Sequence, residues 1–268
     1  MKRPILLIGG GRMGGALLKG WIRNGTAPIA VVEPKATPAL RRLTRADGIT
    51  MYKDVDEVAG SARACVIALK PQVLKAEAAR LAPLSRSGAL MISIAAGTPV
   101  KALMAAWGKD ARIVRAMPNT PGAIGRGITA LYAARGTTGA DRKLAQSLLS
   151  ALGETLWVER EALIDSVTAV SGSGPAYVFL LVEALAAAAE AEGLAPAASA
   201  RLARATVAGA GALLEAERRS AADLRRDVTS PGGTTEAALG VLMAKNGLAP
   251  LIARAVHAAR RRAQELGG

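Results

Sequence analysis

Short apolar runs alternate with helical patterns through the first 160 residues of the chain. Continuous apolar runs lie at 4–8, 29–32, 64–69, 89–94 and 113–114. Runs without polar alternation are typical of parallel strands that helices cover on both faces. Between the first two runs, residues 12–24 have helical spacing, and the pair Asn24-Gly25 would end that helix. The pattern predicts a doubly wound α/β domain.

The pattern changes along the chain. Two further stretches, 128–133 and 154–159, are consistent with additional strands, and residues 142–152 between them have a helical pattern. After about residue 160, strand patterns cease and helical patterns are punctuated by pairs such as Gly174-Pro175 and Gly232-Gly233. We therefore predict an α/β domain over residues 1–160, followed by an all-α domain over residues 161–268.

A glycine-rich turn joins the first apolar run to the first helix. Its residues are Gly9, Gly10, Gly11, Arg12, Met13 and Gly14, which match the pattern G-x-G-x-x-G. Between a strand and a helix, the first glycine permits the tight turn, the second lets a pyrophosphate approach the backbone, and the third allows close packing. The free N–H groups of the helix favour phosphate binding. We predict a dinucleotide site, and the alternative is a glycine-rich turn in another α/β fold.

Two charged residues follow the second apolar run, in the segment VVEPK. Glu33 stands where an acidic residue binds the ribose hydroxyls of NAD, whereas Lys35 is suited to the 2′-phosphate of NADP. Both residues are also compatible with a solvated turn. Glu33 slightly favours NADH, and Lys35 leaves NADPH open.

Polar residues follow the third and fifth runs as well. Lys70 precedes Pro71, which favours extended backbone at the carboxyl end of the strand. In doubly wound sheets that edge faces the ligand crevice, where a lysine is suited to an anionic group. An ordinary surface lysine is the alternative. The segment VRAMPNTPG places Asn119 at the same edge.

Two glycine-containing segments interrupt the helical half. In SGSGPAY, Pro175 suits the first helical position with Gly174 as its cap, and the spacing does not match the G-x-S-x-G of hydrolases. In DVTSPGGTT, we expect Thr234 or Thr235 to cap the following helix. The N–H groups of this turn are suited to an anion such as a carboxylate. A plain loop-to-helix cap is the alternative.

Composition narrows the class of protein. Of 268 residues, 51% are hydrophobic and 21% charged, which is typical of a folded globular protein. The net charge of +14 comes mostly from scattered arginines without interleaved aromatic residues. We interpret these as solvated helix faces that also attract anionic ligands, with no nucleic-acid partner. We expect Cys65 to be a buried thiol, and we expect no metal site, no signal peptide and no membrane span, hence a cytoplasmic protein.

Six segments together resemble pyrroline-5-carboxylate reductases. They are IGGGRMGGALLKG, VIALKPQ, ISIAAGT, RAMPNTP, VSGSGPAYVF and DVTSPGGTTEAAL, and they follow the family's order over nearly the whole chain. The resemblance implies an N-terminal Rossmann domain, a C-terminal helical dimerisation domain, and reduction of 1-pyrroline-5-carboxylate to L-proline with NADPH or NADH, the last step of proline biosynthesis. It also implies a homodimer that interleaves through the helical domain, and dimers that often assemble into decamers.

The resemblance also assigns roles to residues. It implies that Gly9, Gly11, Met13 and Gly14 form the pyrophosphate loop, to which we add Gly10 and Arg12 from the same turn, and that the nicotinamide side is lined by Ala68, Leu69, Lys70, Pro71, Ala95 and Ala96. The substrate carboxylate is held by Lys70 and by Ser230, Gly232, Gly233 and Thr234, while Thr235 contacts the ring nitrogen. Lys70 and Thr235 are therefore the predicted catalytic residues, and Asn119, Glu33 and Lys35 complete the predicted cofactor site.

Three departures from the family leave the choice of cofactor open. Arg12 stands where the family often has Asn, Glu33 stands where many members have Ser, Arg or Thr, and residues 54–56 lack an Asn for the adenosine side. One alternative function is another imine or 3-hydroxyacid reductase with the same layout, although the segment after SGSGP lacks the lysine and Asn of the hydroxyacid enzymes. Another is a nucleotide-sensing or nucleic-acid-binding protein, suggested by the charge.

Overall fold

The computed structural model describes residues 3–58 and 62–267. The chain forms two compact units. The sheet unit comprises the chain as far as Gly172 together with the stretch from Ala259 onward, and the helical unit comprises Ser173–Ala258. The division into domains over 1–160 and 161–268 stays a prediction, because compactness does not establish which segments fold on their own.

Eight strands within the described residues form one sheet. They are β1 (Ile5–Ile8), β2 (Ile29–Val32), β3 (Ile49–Tyr52), β4 (Ala64–Ile67), β5 (Leu90–Ser93), β6 (Ile113–Met117), β7 (Gly127–Ala133) and β8 (Gly153–Trp157). The order is β3-β2-β1-β4-β5-β6-β7-β8, and β6 and β7 pair antiparallel while the other neighbours pair parallel. The strand order reverses between β1 and β4, so the predicted doubly wound arrangement is confirmed.

Helices flank the sheet and form most of the chain after β8. Those of the sheet unit are α1 (Arg12–Arg23), α2 (Pro38–Leu43), α3 (Pro71–Glu77), α4 (Ala82–Arg86), α5 (Val100–Trp107), α6 (Gly139–Leu149) and α7 (Leu163–Val167). They are followed by α8 (Gly174–Ala191), α9 (Pro196–Ala216), α10 (Ala221–Asp227), α11 (Thr234–Leu242) and α12 (Leu248–Gly267). The predicted end of the first helix is confirmed, with Asn24 as C-cap and Gly25 at a φ of +66°.

Apolar side chains cover both faces of the sheet. Leu7 belongs to a buried cluster with Trp21 on one face, and its neighbour Leu6 belongs to a second cluster with Leu74 and Trp107 on the other. Successive strand residues point to opposite faces, so a strand covered on both sides must be apolar throughout. This explains the continuous apolar runs of the sequence.

The strand β3 was not predicted. Its residues Ile49-Thr50-Met51-Tyr52 mix polar and apolar side chains, and they are half-buried or exposed at the edge of the sheet. Pairing with β2, from Ile29↔Ile49 to Val32↔Tyr52, holds it in the sheet. A four-residue edge strand has too weak a pattern to be read from sequence, because its register is set by its neighbour.

The segment SGSGP lies inside an almost continuous helix. A π-helical turn, Thr168–Gly172, joins α7 to α8, and Ser173 is the N-cap of α8. The expectation that Gly174 caps this helix was therefore wrong by one residue. A Cβ on Gly172 would lie 2.7 Å from the Cε of Met117, so glycine permits the close approach of this turn to the end of β6.

The prediction that no stretch reaches the length of a membrane span was wrong. Leu163–Ala191 is helical over 29 residues and passes the criteria of length and composition for crossing a membrane. Gly174 and Pro175 do stand at the start of α8 as expected, but the π-helical turn Thr168–Gly172 joins this helix to α7, which lengthens the run. The criterion is weak evidence for a membrane, because helices that pack against protein pass it as well.

Candidate active site

The predicted cofactor residues lie along one edge of the sheet. β1, β2, β4, β5 and β6 run parallel, so their carboxyl ends share that edge. Gly9 follows β1, Glu33 follows β2, Ala68 follows β4, Ala95 lies just after β5 and Asn119 lies just after β6. Ligands of doubly wound sheets bind where the strand order reverses, which here is between the loops after β1 and β4.

The glycine loop has the shape that a pyrophosphate requires. Gly9 has a φ of +96°, and a Cβ there would lie 2.7 Å from the carbonyl oxygen of Ala68. A Cβ on Gly14 would overlap the carbonyl oxygen of Gly9, so both positions require glycine. In contrast, no described atom lies within 4 Å of a Cβ built on Gly11, the N-cap of α1. The open space at a helix N-terminus fits a dinucleotide phosphate.

Glu33 is held against this loop. Its carboxylate accepts the backbone N–H of Gly10 at 2.7 Å and that of Lys35 at 3.0 Å. The negative charge is therefore fixed beside the glycine loop, whereas Lys35 and Arg12 are exposed. A fixed carboxylate at the end of the second strand accepts hydrogen bonds from ribose hydroxyls and repels a 2′-phosphate.

A cavity of about 210 Å³ adjoins these strand ends. Val32, Leu69 and Val73 supply apolar walls, and Lys53 and Arg80 stand among its polar lining. An apolar slot with a polar rim suits a flat ring system such as a base. The sequence patterns did not indicate Val73, on α3, or Arg80, in the 3-10 turn Ala78–Leu81 that follows α3, because only the folded chain brings them to the same cavity as Val32.

Arg80 is engaged by carboxylates at this cavity. It donates to Asp54 and Asp56, each at 2.6 Å, and to Glu77 at 2.9 Å. The backbone N–H of Asp56, followed by the Arg80 guanidinium, lowers the pKa of Asp54. The carboxylates raise the pKa of Arg80, so it stays cationic. Its donors are directed to the protein's own acids in this arrangement.

The loops after β4, β5 and β6 complete the sheet edge. Lys70 is exposed and extended, with φ −64° and ψ 147°, and caps α3, which starts at Pro71, so the predicted geometry is confirmed. Ala95 donates its N–H to the Ser93 hydroxyl at 3.4 Å. The side-chain oxygen of Asn119 accepts the N–H of Ile128 at 3.0 Å, which holds the turn between β6 and β7.

The predicted substrate residues lie in the helical unit, on the loop between α10 and α11. Gly233 is the N-cap of α11 and no side chain caps this helix, so the expectation of a Thr234 or Thr235 cap was wrong. The N–H of Gly232 donates to the Glu236 carboxylate at 2.7 Å, and that of Gly233 to the Ser230 carbonyl at 3.0 Å. Both threonines stand in the first helical turn, whose N–H groups the helix leaves without a partner of its own.

The fold and the site together define a class of protein. A doubly wound sheet with an open glycine loop and an acidic strand end, joined to a helical unit, is the architecture of a dinucleotide-dependent oxidoreductase. A model of the pyrroline-5-carboxylate reductase dimerisation domain matches residues 161–266, and a model of NADP oxidoreductases that are coenzyme F420-dependent matches residues 4–97. The chain belongs to the pyrroline-5-carboxylate reductase family.

Relatives match over almost the full length. A pyrroline-5-carboxylate reductase of Pseudomonas aeruginosa is 40% identical over 98% of this chain and 96% of its own. One of Synechocystis is 40% identical over 97% of each chain. A solved pyrroline-5-carboxylate reductase of Coxiella burnetii covers 100% of both chains at 38% identity and a TM-score of 0.92. A solved Plasmodium falciparum pyrroline carboxylate reductase, with NADP bound, covers 99% of this chain and 98% of its own at 26% identity and a TM-score of 0.81.

Proposed function

We propose that this chain reduces 1-pyrroline-5-carboxylate to L-proline with NADPH or NADH, the last step of proline biosynthesis. The single observation that carries the proposal is the match to relatives of that name at 40% identity across 98% of the chain. The open glycine loop after β1 supports the cofactor half of the proposal, because its shape fits a pyrophosphate.

The sheet unit holds the cofactor in this proposal. The loop Gly9–Gly14 takes the pyrophosphate, and Glu33 and Lys35 lie beside the adenosine ribose. Ala68, Leu69, Lys70, Pro71, Ala95 and Ala96, with Asn119, line the nicotinamide side. When bound, the reduced nicotinamide supplies a hydride. The protein's task is to orient the ring and to exclude water.

The helical unit holds the substrate. The N–H groups of Gly232 and Gly233 already have partners within the loop, so the first turn of α11 is the better carboxylate site. Ser230, Gly232, Gly233 and Thr234 shape that site, and the cationic Lys70 adds charge attraction. Thr235 contacts the ring nitrogen through its hydroxyl.

The proposed reaction does not require a strong acid from the protein. A cyclic imine can carry its proton on nitrogen before hydride arrives, so orientation contributes more than proton donation. The only histidine, His257, is exposed on α12 and lies outside every motif. A hydroxyl at Thr235 is sufficient to fix the protonated nitrogen.

The assembly proposed here is a homodimer through the helical unit, with decamers as a further step. Within the described chain, α8 has no buried residue, and its Phe179 and Leu180 are 61% and 63% exposed. Apolar side chains at such exposure are typical of a surface that a second copy covers. We propose likewise that the apolar helix Leu163–Ala191 packs against protein. The proposed enzyme is cytoplasmic and has neither a membrane nor a nucleic acid as a partner.

One assay tests the proposed activity. Oxidation of NADPH and of NADH is followed at 340 nm with 1-pyrroline-5-carboxylate, and in parallel in the reverse direction with 3-hydroxyacids and the oxidised cofactors. We expect turnover with the pyrroline alone. Turnover with hydroxyacids but not with the pyrroline would establish the alternative reductase. In a separate titration with DNA, tight salt-dependent binding without any turnover would establish the nucleic-acid-binding alternative.

A mixing experiment tests how the proposed halves combine. Hydride transfer requires contact between ring and nicotinamide, so residues of both units must reach one substrate, from one chain or from two. A Lys70→Ala variant and a Thr235→Ala variant are unfolded, mixed and refolded together. Recovered activity in the mixture would place the two residues of a working site on different chains, and its absence would place them on the same chain.

A further inference from the structure

Arg115 is a buried cation that the proposed reaction does not use. It lies on β6 with only 5% of its side chain exposed, and it pairs in register with Ser93, the last residue of β5. Its guanidinium donates to Glu161 at 2.8 Å and lies 3.6 Å from a carboxylate oxygen of Asp165. Buried charge is costly without such partners, so the position of each group depends on the others.

Glu161 links this cation to the start of α5. The Oε1 atom that accepts from Arg115 also accepts the backbone N–H of Val100, at 2.7 Å. Val100 is the first residue of α5, and its N-cap, Pro99, provides no side-chain cap. Glu161 therefore satisfies a helix N–H that the helix itself leaves without a partner, and its charge suits that end of the helix.

The segment between β5 and α5, residues 94–99, is anchored at its start, where Ile94 donates its N–H to the Ile67 carbonyl at 3.1 Å and Ile94 and Ala95 are buried. We call it the alanine loop, since it contains Ala95 and Ala96. At its start, the Ala95 N–H donates to Ser93, and at its end Glu161 holds Val100. In its middle, Gly97 has a φ of +63°, and a Cβ there would lie 3.3 Å from both Cβ and O of Leu266, at the end of α12.

We infer that Arg115 and Glu161, with the end of α12, hold the alanine loop in the shape that receives the nicotinamide. This inference rests on the proposed function, in which Ala95 and Ala96 line that ring. Burial of Ile94 and Ala95 fixes the start of the loop, whereas residues 96–99 are only half-buried. That second part is held from outside by Glu161, through the N–H of Val100, and by Leu266. Arg115 and Glu161 are positioning residues, and the proposed site does not bring either of them into contact with the substrate.

Substitutions at Glu161 separate positioning from mere stability. Glu161→Ala removes the acceptor of Val100, whereas Glu161→Gln keeps the Oε1 acceptor and removes the charge. We expect Glu161→Ala to raise the Kd of NADPH, measured by fluorescence without substrate, about tenfold and to lower kcat. Amide exchange at Val100 should accelerate at least tenfold in the cofactor-free protein. Glu161→Gln should restore most of both, with a KM for the pyrroline close to wild type.

Arg112 and Asp141 provide a matched control. Their side chains form an ion pair with an N–O distance of 2.7 Å, and both residues lie outside the alanine loop. Asp141→Asn should lower Tm but leave the cofactor Kd unchanged. If Glu161→Ala lowers Tm and leaves Kd and Val100 exchange unchanged, the inference is wrong. If Glu161→Ala does not fold, Glu161→Asp takes its place, because the shorter side chain withdraws the acceptor from the Val100 N–H; an unchanged Kd and unchanged Val100 exchange in that variant would equally contradict the inference. The inference and the proposed function can fail separately. Turnover by the unaltered protein tests the proposed function, whereas Val100 exchange requires neither cofactor nor turnover.

Discussion

The two units of the molecule differ in how far their large apolar side chains are buried. In the sheet unit, Leu6, Leu7 and Trp21 are fully buried between sheet and helices. In the helical unit, Phe179 is 61% exposed and Val241 is 73% exposed. The first unit completes its core within one chain, whereas the exposed apolar side chains of the second are those that the proposed dimer would cover. Variants in the two units should therefore differ in whether their effects depend on protein concentration.

The largest effect is expected at the core of the sheet unit. Trp21 is buried, and its indole N–H donates to the Leu148 carbonyl at 2.8 Å. Trp21→Ala should destabilise the chain by about 3–5 kcal/mol through the cavity and the lost contact. Chemical denaturation at two protein concentrations checks this, and the loss should be equal at both. A loss below about 1 kcal/mol would mean that this core is not continuous.

The next effect concerns the exposed face of α8. Phe179→Ala should remove about 1.5 kcal/mol of apolar burial from each copy of a dimer, which raises the dimer dissociation constant about a hundredfold. Sedimentation velocity over a dilution series measures it. Leu156→Ala is the matched control, because Leu156 is 52% exposed in the sheet unit. Equal dissociation constants for the two variants would contradict the comparison.

A functional difference between the units is expected at Thr235. Thr235→Ala should lower kcat about 10- to 100-fold, the value of one hydrogen bond to a charged group, and leave the Kd of the cofactor unchanged. Thr235→Ser restores the hydroxyl and should recover most of the turnover. Stopped-flow and fluorescence titration together separate the two constants. An unchanged kcat/KM would remove Thr235 from the reaction.

We expect the choice of cofactor to depend on the sheet unit. Glu33→Ser should shift the ratio of kcat/KM toward NADPH about tenfold, because the fixed carboxylate beside Gly10 no longer repels a 2′-phosphate. Steady-state kinetics with both cofactors measures the ratio. Glu154→Ser, an exposed change on β8, is the control and should leave it unchanged. A ratio that does not move would make Glu33 a bystander.

The smallest expected effect is the pH-dependent stabilisation by an exposed carboxylate, and it should be similar in the two units. The pKa of Asp54 in the sheet unit is lowered chiefly by the Asp56 N–H, and that of Asp223 in the helical unit chiefly by Ser220. A lowered folded pKa means that the stabilisation is present above the ordinary value of 3.8 and is lost as the pH falls through the folded value. Asp54→Asn should therefore lower Tm slightly at pH 7 and not at pH 2. A Tm difference that persists at pH 2 would assign the effect to something other than ionisation.

Local patterns predicted much of this molecule. The apolar runs 4–8, 29–32 and 64–69 contain the parallel strands that end at Ile8, Val32 and Ile67, and the turn from Gly9 to Gly14 leads into α1, because burial on both faces and glycine geometry are properties of short segments. Failures occurred where several local groups compete for one turn and where the partner is distant in the chain. Thr234 did not cap α11, since Glu236 and Gly233 organise that turn, and β3 exists only through its pairing with β2.

The sequence by itself determined the doubly wound sheet, the glycine loop and the family, because these depend on periodicity and on motifs within a few residues. The tertiary structure decided which acids surround Arg80, that Glu161 caps α5 from outside, and that Leu266 lies on Gly97. Glu161 is 61 residues from Val100 in the chain, and such a contact forms only when the sheet brings the two together.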